Sequence, residues 1–293
     1  MMTKPEETRL WLVMRSHNDS SLVADTLAAL AQQTIPFRLA AFDNASSDGT
    51  REIVQSRADL FVDVPAGSYV PGVVLNHAMR VTDGEFVIFL NADCTPQHPE
   101  FLAALLQCIS RHADTAAVFG RQNPRPDCQG LFAKDTTDTY GDGTRQAAWR
   151  HCFSMAGSCI RRACWEESPF REDLQYSEDI DWTWRMRQRG YAIRYASDAQ
   201  MLHSHNYTLR QYYRRHYGEG AADACIFAWT TWEQSFLRYS LFPYARQVLS
   251  DMRYCLARGM VGAAAYSPLL RFAQMLGRRA GFRAGCRQSG QAS

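Results

Sequence analysis

A short apolar run that stops abruptly against polar residues is the pattern that most limits how this chain can fold. In Gly84 to Pro96, GEFVIFLNADCTP, the run Phe86 to Leu90 is unbroken. Flanked by Gly and Pro, it suits a strand buried on both faces of a parallel sheet. Asn91, Ala92, Asp93, Cys94 and Thr95 follow at once, so an amide, a carboxylate, a thiol and a hydroxyl stand at the strand's carboxyl end. That edge is where open α/β sheets bind ligands. A carboxylate fixed there can hold a divalent cation, and the cation can hold the phosphates of a nucleotide. Asp93 could equally do no more than cap the helix that begins near His98.

The pattern recurs upstream. Leu10 to Met14 reads as a first strand that ends in Arg15, Ser16, His17, Asn18 and Asp19, and a helix follows with Val23, Leu27 and Leu30 on one face. Phe37 to Phe42 is a second strand, ending in DNASSDGT from Asp43 to Thr50, where Asp48 and Gly49 open another helix. Leu60 to Val64 leads through PAGSYVPG into a helix around Val73 to Met79. Strand, polar cluster and returning helix, repeated, predict an α/β fold with a mostly parallel sheet flanked by helices and a site on one edge. No GxGxxG follows the first strand and no GxxxxGK[ST] occurs, so dinucleotide dehydrogenases and P-loop enzymes lose their main support. After a helix near Pro99 to Ser110 and a strand at Ala116 to Phe119, residues 121–150 turn rich in Pro, Gly, Asp, Thr and Arg. They read as an irregular segment over the mouth of the site.

A second carboxylate cluster lies in SEDIDWTWRMRQRG, Ser177 to Gly190, where Ser177 suits an N-cap, three acids fill the first turn and Gly190 suits a C-cap. The helix dipole there favours ionised carboxylates, as a base requires. Asp181 has Arg185 at i+4 as a structural partner. Glu178 and Asp179 lack so simple an explanation and are candidates for function. A strand at Tyr191 to Tyr195 follows. His203 and His205 are two residues apart and would share one face of a strand, where a neutral imidazole could complete the coordination of a metal held by Asp93.

Composition bounds the rest. A net charge of +2 is too small to make nucleic acid the partner of the whole chain. Nine cysteines, odd in number and without a CxxC pair, suit a reducing cytoplasm better than a disulfide framework. The start, MMTKPEETR, has no apolar leader core, and no stretch reaches the ~18 apolar residues of a membrane span. Residues 231–293 carry nine arginines against Glu233 and Asp251, a net of +7, interleaved with aromatic and aliphatic residues. Such helices suit either peripheral contact with an anionic membrane or packing on the main domain with a solvated basic face. Gly281 to Ser293 is expected to be disordered.

Taken together, DNASSDGT, FLNADCTP, SEDIDW and the HSH at His203 resemble family 2 glycosyltransferases of the GT-A fold, over about Leu10 to Gly220. The resemblance implies that Asp43 contacts the nucleotide base and that Asp93 holds the donor diphosphate through Mg²⁺ or Mn²⁺ with His203. It also implies that Asp179 is the base for the acceptor hydroxyl. Asn18 and Asn76 join Asp43 and Asp93 as donor-binding candidates, and Glu178 and Arg121 are candidates for orienting the base or the acceptor. The chain departs from the family pattern at Asn91, the first DxD position, at Leu75 before Asn76, where many members have Arg, and at Ser197, where Pro is usual. GRQNPRPD at Gly120 to Asp127, SCIRR at Ser158 to Arg162 and HSHNYTLRQYYRRHYGEG at His203 to Gly220 resemble rhamnosyltransferases that build bacterial surface polysaccharides.

The resemblance implies a catalytic domain over 1–205 and a basic helical extension over 206–293. Its activity would be inverting transfer from a dTDP or UDP sugar, rhamnose first, to a glycan or lipid-linked acceptor. The expected location is the cytoplasm, peripheral on the inner membrane face if the extension binds there. A nucleotidyltransferase making an activated sugar would want a Gly- and Arg- or Lys-rich loop after the first strand, which SHNDSS lacks. A non-catalytic nucleotide-sugar-binding subunit has Asn91 in its favour and Asp179 and His203 against it.

Overall fold

The computed structural model describes residues 10–144, 152–227 and 235–288. The chain divides into two units. The first comprises Met1–Arg125, Thr136–Asp173 and Glu178–His203, and the second Pro126–Asp135, Leu174–Ser177 and Ser204–Ser293. The extension is therefore not a plain tail from residue 206, because it draws in two upstream segments.

The first half alternates as the apolar runs require: β1 (Trp11–Ser16), α1 (Val23–Leu30), β2 (Arg38–Asp43), α2 (Thr50–Gln55), β3 (Leu60–Asp63), α3 (Pro71–Val81) and β4 (Phe86–Asn91). The chain continues through β5 (Thr95–Pro96), α4 (Phe101–Ser110), β6 (Thr115–Asn123), α5 (Gly130–Thr139), β7 (Gly157–Arg161), α6 (Arg162–Glu167), α7 (Glu178–Gln188) and β8 (Ala192–Leu202). The strands form one sheet in the order β3-β2-β1-β4-β7-β6-β8-β5. Trp11, Val13, Val87 and Phe89 enter a core with α3 and α7, while Leu12, Met14, Ile88 and Leu90 enter one with α1 and α4. Burial on both faces is why these strands are continuously apolar.

β1 runs parallel to β2 and β4, and β6 parallel to β8. β7 is antiparallel to both β4 and β6. Those two therefore point the same way, and β7 starts at the edge where they end. GSCIR carries no turn signals or alternation that mark it as a strand, and it owes its conformation to pairing with strands distant in the chain.

The segment expected to be irregular over 121–150 is partly regular. β6 runs on to Asn123 because it regains its pairing with β8 across a bulge, Gly120 facing Ala196 and Arg121 facing Gln200. The same bulge lets β8 continue past Tyr195 to Leu202, and Gly130–Thr139 is helical. Residues 145–151 lie outside the described residues. Gly190, at φ 89°, ends α7: its N–H donates to the Arg187 carbonyl and that of Tyr191 to Met186. Ser177, at φ 58°, does not take the extended backbone of an N-cap.

The second unit contains α8 (Leu209–Phe227), a π-helical turn at Leu237–Leu241, α9 (Phe242–Leu256) and α10 (Val261–Gln288). Thr208 and Gln211 cap α8 reciprocally, with the Thr208 N–H donating to Gln211 Oε1 at 2.9 Å and the Gln211 N–H to Thr208 Oγ1 at 3.3 Å. Gly277, Gly281 and Gly285 recur every fourth residue of α10 against α8, and a Cβ at Gly281 would overlap the Tyr217 carbonyl oxygen. This close packing holds α10 helical through Gln288, where Gly281 to Ser293 was expected to be disordered; 289–293 lie outside the described residues. Arg271 is 1% exposed and paired with Asp251 at 2.6 Å and Asp135 at 2.7 Å, so it belongs to no solvated basic face.

Candidate active site

The edge holding the carboxyl ends of β1, β2, β4, β6 and β8 gathers the polar clusters. Asp43 closes β2, and its carboxylate accepts from Ser16 Oγ and Ser46 Oγ, both at 2.7 Å, and from the Ser46 N–H at 2.8 Å. Fully buried, it shapes the loop after β2. Asn18, exposed and at φ 57°, stitches the loop after β1 to that loop, accepting from the Ser47 N–H and donating its own N–H to Ser46 Oγ, each at 2.9 Å.

Asp93 follows β4 and is 7% exposed. β8 delivers His203 to the same edge, where the His203 N–H donates to the Asn123 carbonyl. Asp93 Oδ2 and His203 Nε2 lie 3.4 Å apart, and one ligand atom each of Asp93, Cys94 and His203 lie within 4.8 Å of one another. Gln122, buried on β6, accepts from His203 Nδ1 at 2.7 Å and donates to Ser154 Oγ at 2.8 Å. A proton on Nδ1, donated to Gln122, would leave the Nε2 lone pair facing the carboxylate, an arrangement that two ligands of one cation can take. Nearby, burial first, with the charges of Asp93 and Asp48 adding to the rise, pushes Asp19 up to about 6. Asp93 and His203 thus fit a divalent metal. Burial holds the Cys94 thiol well above its ordinary range, and so neutral.

A chain of contacts leads from this loop to the acids of α7. Asn91 Oδ1 accepts from Arg15 at 2.9 Å, and Arg15 pairs with Glu178 at 3.6 Å. Asp179 accepts from the Met155 N–H at 3.1 Å and the Ile180 N–H at 2.8 Å. Burial raises both carboxylates above their ordinary range, Glu178 to about 7 with the Asp179 charge adding to the rise. The dipole therefore does not decide their ionisation, because desolvation outweighs it.

Three candidates stand apart. Asn76 is 2% exposed, donating to the Phe170 carbonyl at 2.9 Å and Glu172 Oε1 at 2.8 Å and accepting from Trp165 Nε1 at 2.9 Å and the Phe170 N–H at 3.0 Å. It pins α3 to the segment after α6, and no group on it is left for a donor. Arg121 donates to Asn123 Oδ1 at 3.1 Å on its own strand, and no contact among the described residues joins it to Glu178 or Asp179. His205 belongs to the second unit and lies beside Tyr207, ring centroids 5.6 Å apart.

Residues 11–189 match glycosyl transferase family 2. The chain belongs to that family. It is 29% identical over 205 residues to the O-antigen chain rhamnosyltransferase WbaN of Salmonella anatum, covering 66% of this chain and 65% of that protein, just short of two thirds. It is 28% identical over 230 residues to the O-antigen chain rhamnosyltransferase RfbN of Salmonella typhimurium, covering 74% and 73%. The mannosyltransferase PcManGT from Pyrobaculum calidifontis, solved with GDP-Man and Mn²⁺, superposes with a TM-score of 0.57 at 17% identity, over 99% of this chain and 77% of that one. Glucosyl-3-phosphoglycerate synthase from Mycobacterium tuberculosis, solved with Mn²⁺, UDP and phosphoglyceric acid, gives 0.55 at 15% identity, over 75% and 78%. The fold is the GT-A fold.

In this family 2 glycosyl transferase, Gln122 and Met155 border the candidate site residues without standing in any motif, whereas Arg15 belongs to the polar cluster that ends the first strand and carries no stated role there. Gln122 and the Met155 N–H act through β6 and β7, whose placement depends on pairing across the sheet.

Proposed function

We propose that this glycosyl transferase moves a sugar from a nucleoside diphosphate donor to a hydroxyl of a glycan or lipid-linked acceptor in surface polysaccharide synthesis, inverting the anomeric carbon. A dTDP or UDP sugar is the donor class, with rhamnose the first assignment, supported by the likeness to two O-antigen rhamnosyltransferases. The observation that carries the reading is Asp179. Two backbone N–H groups hold its carboxylate, burial raises its proton affinity, and Arg15 ties its neighbour Glu178 to the loop bearing Asp93.

Asp179 receives the acceptor proton. A carboxylate whose proton affinity is raised by burial is a stronger base toward the acceptor hydroxyl. Glu178, paired to Arg15, keeps the base region and the β4 loop in register. With Glu178 so engaged, Asp179 is left to act and no second carboxylate among the described residues shares its place as a covalent nucleophile, which supports single displacement. Asp93 and His203 would hold Mg²⁺ or Mn²⁺, which when bound supplies positive charge to the departing diphosphate. Asn91, in place of a second carboxylate, gives its side-chain oxygen to Arg15 instead. Asn18 and the loop shaped by Asp43 form the donor's seat. All nine cysteines are free, which supports a reducing, cytoplasmic setting.

Thermal unfolding against UDP, dTDP, GDP and CMP, each with and without Mn²⁺, tests the donor. A ligand bound only by the folded state at a hundredfold excess over its Kd adds about 2.7 kcal/mol. A metal-dependent rise with dTDP or UDP is expected, and no rise with any of the four would remove the donor reading. NMR of the product's anomeric proton tests inversion.

A further inference from the structure

α9 is built inside out. Its single acid, Asp251, is fully buried, where Ser267, Arg271 and Lys134 hold it, while Phe242, Leu249 and Leu256 are 69%, 56% and 58% exposed. These three recur every seventh residue, with exposed Arg246 and Arg253 interposed, so Phe242, Arg246, Leu249, Arg253 and Leu256 share one helix face. α10 repeats the pattern in Val261, Ala265, Leu269, Phe272 and Leu276, and Phe272 packs beside Tyr244 of α9, ring centroids 6.4 Å apart. Ten of the fourteen exposed large apolar side chains among the described residues fall between Phe236 and Leu276, so the exposure is concentrated in these helices.

Charge selects the occupant. Asp251 is the one acid in 235–288, against nine arginines, and it is buried, so the charge this surface presents is cationic. A second copy seated on the same face would set Arg246 and Arg253 against their own kind. A nucleic acid backbone would satisfy the arginines and leave the leucines without a partner. An anionic bilayer takes both, since apolar side chains enter the acyl boundary while arginines meet lipid phosphates.

We propose that the exposed face of α9 docks the protein on an anionic membrane leaflet. The docking is independent of the donor reading, because vesicle binding is measured without turnover.

The test is flotation of the full chain with vesicles of phosphatidylcholine containing phosphatidylglycerol, against pure phosphatidylcholine. Binding to the anionic vesicles is expected, weakened by salt. Arg246→Gln and Arg253→Gln should each lower it about fivefold, from the ~1 kcal/mol that a basic residue contributes at such a surface. Leu249→Glu should lower it tenfold or more, given the ~1.5–3 kcal/mol of burying a leucine. All three positions are exposed, and circular dichroism of each variant checks that it folds. No binding above the neutral vesicles, or binding that these variants leave unchanged, overturns the proposal. So does a dimer in light scattering that Leu249→Glu dissociates while vesicle binding persists, because the face would then join two copies.

Discussion

The Arg15 guanidinium and the Glu178 carboxyl lie buried 3.6 Å apart, one residue short of the end of β1 and at the first turn of α7. The same guanidinium donates to Asn91 at 2.9 Å. One side chain thus fixes the spacing between the loop assigned to the donor phosphates and the carboxylate assigned to the acceptor. Removing one partner of such a pair typically costs ~3–5 kcal/mol, because the other charge stays buried.

Asp179→Asn keeps an oxygen for the Met155 N–H, 3.1 Å away, and removes the proton acceptor. Turnover should fall about 10² to 10⁴-fold, with donor affinity, read by calorimetry, nearly unchanged. Loss of donor binding instead would make Asp179 a ligand for the donor and not the base.

Gln122→Leu removes the partner of His203 Nδ1. Outer-shell groups of this kind typically set metal affinity by about 10–100-fold, so Mn²⁺ titration followed by calorimetry should show a loss in that range with the melting curve still cooperative. Unchanged affinity would exclude His203 as a ligand.

Glu178 ionises at about 7 in the fold against an ordinary 4.5, owing to burial first and the Asp179 charge second, with Arg15 acting in the opposite direction. The folded protein therefore keeps a proton that the unfolded chain releases. The stability that goes with it is full below the unfolded value and is lost as pH rises through the folded one. Glu178→Gln imitates the neutral acid, so its melting temperature relative to the parent should climb between pH 5 and pH 8. A flat or falling difference would mean that Arg15 keeps Glu178 ionised throughout.

Arg271→Met leaves Asp251 buried without its closest cation and removes the partner of Asp135. A loss of ~3–5 kcal/mol is expected, read from urea unfolding. Adding Asp251→Asn should return part of it, since the two side chains act as one unit. Simple addition of the two losses would show that the pair is not coupled.

Local pattern was enough wherever one stretch of chain carried its own answer. The strands β1, β2 and β4 declare themselves because both faces are buried, and the loops after them declare a site because a strand's carboxyl end can hold only what the sequence puts there next. That Asp93 and His203 stand side by side at that edge was legible in part in that way, since each follows the end of a strand. Asn76 was misleading, since an amide in a helix reads the same whether it faces a ligand or the four groups beside it.

The sequence by itself determined the alternating α/β architecture, the family likeness and which acids and histidine are candidates for the site, because apolar period and residue order are local properties. Only the tertiary structure decided that β7 enters the sheet antiparallel and brings the Met155 N–H to Asp179, that Gln122 orients His203, and that α9 buries its aspartate and exposes its leucines. Each of these depends on which distant segment a residue meets. That follows from strand pairing and helix packing, whose energies are non-local and leave no period in the sequence.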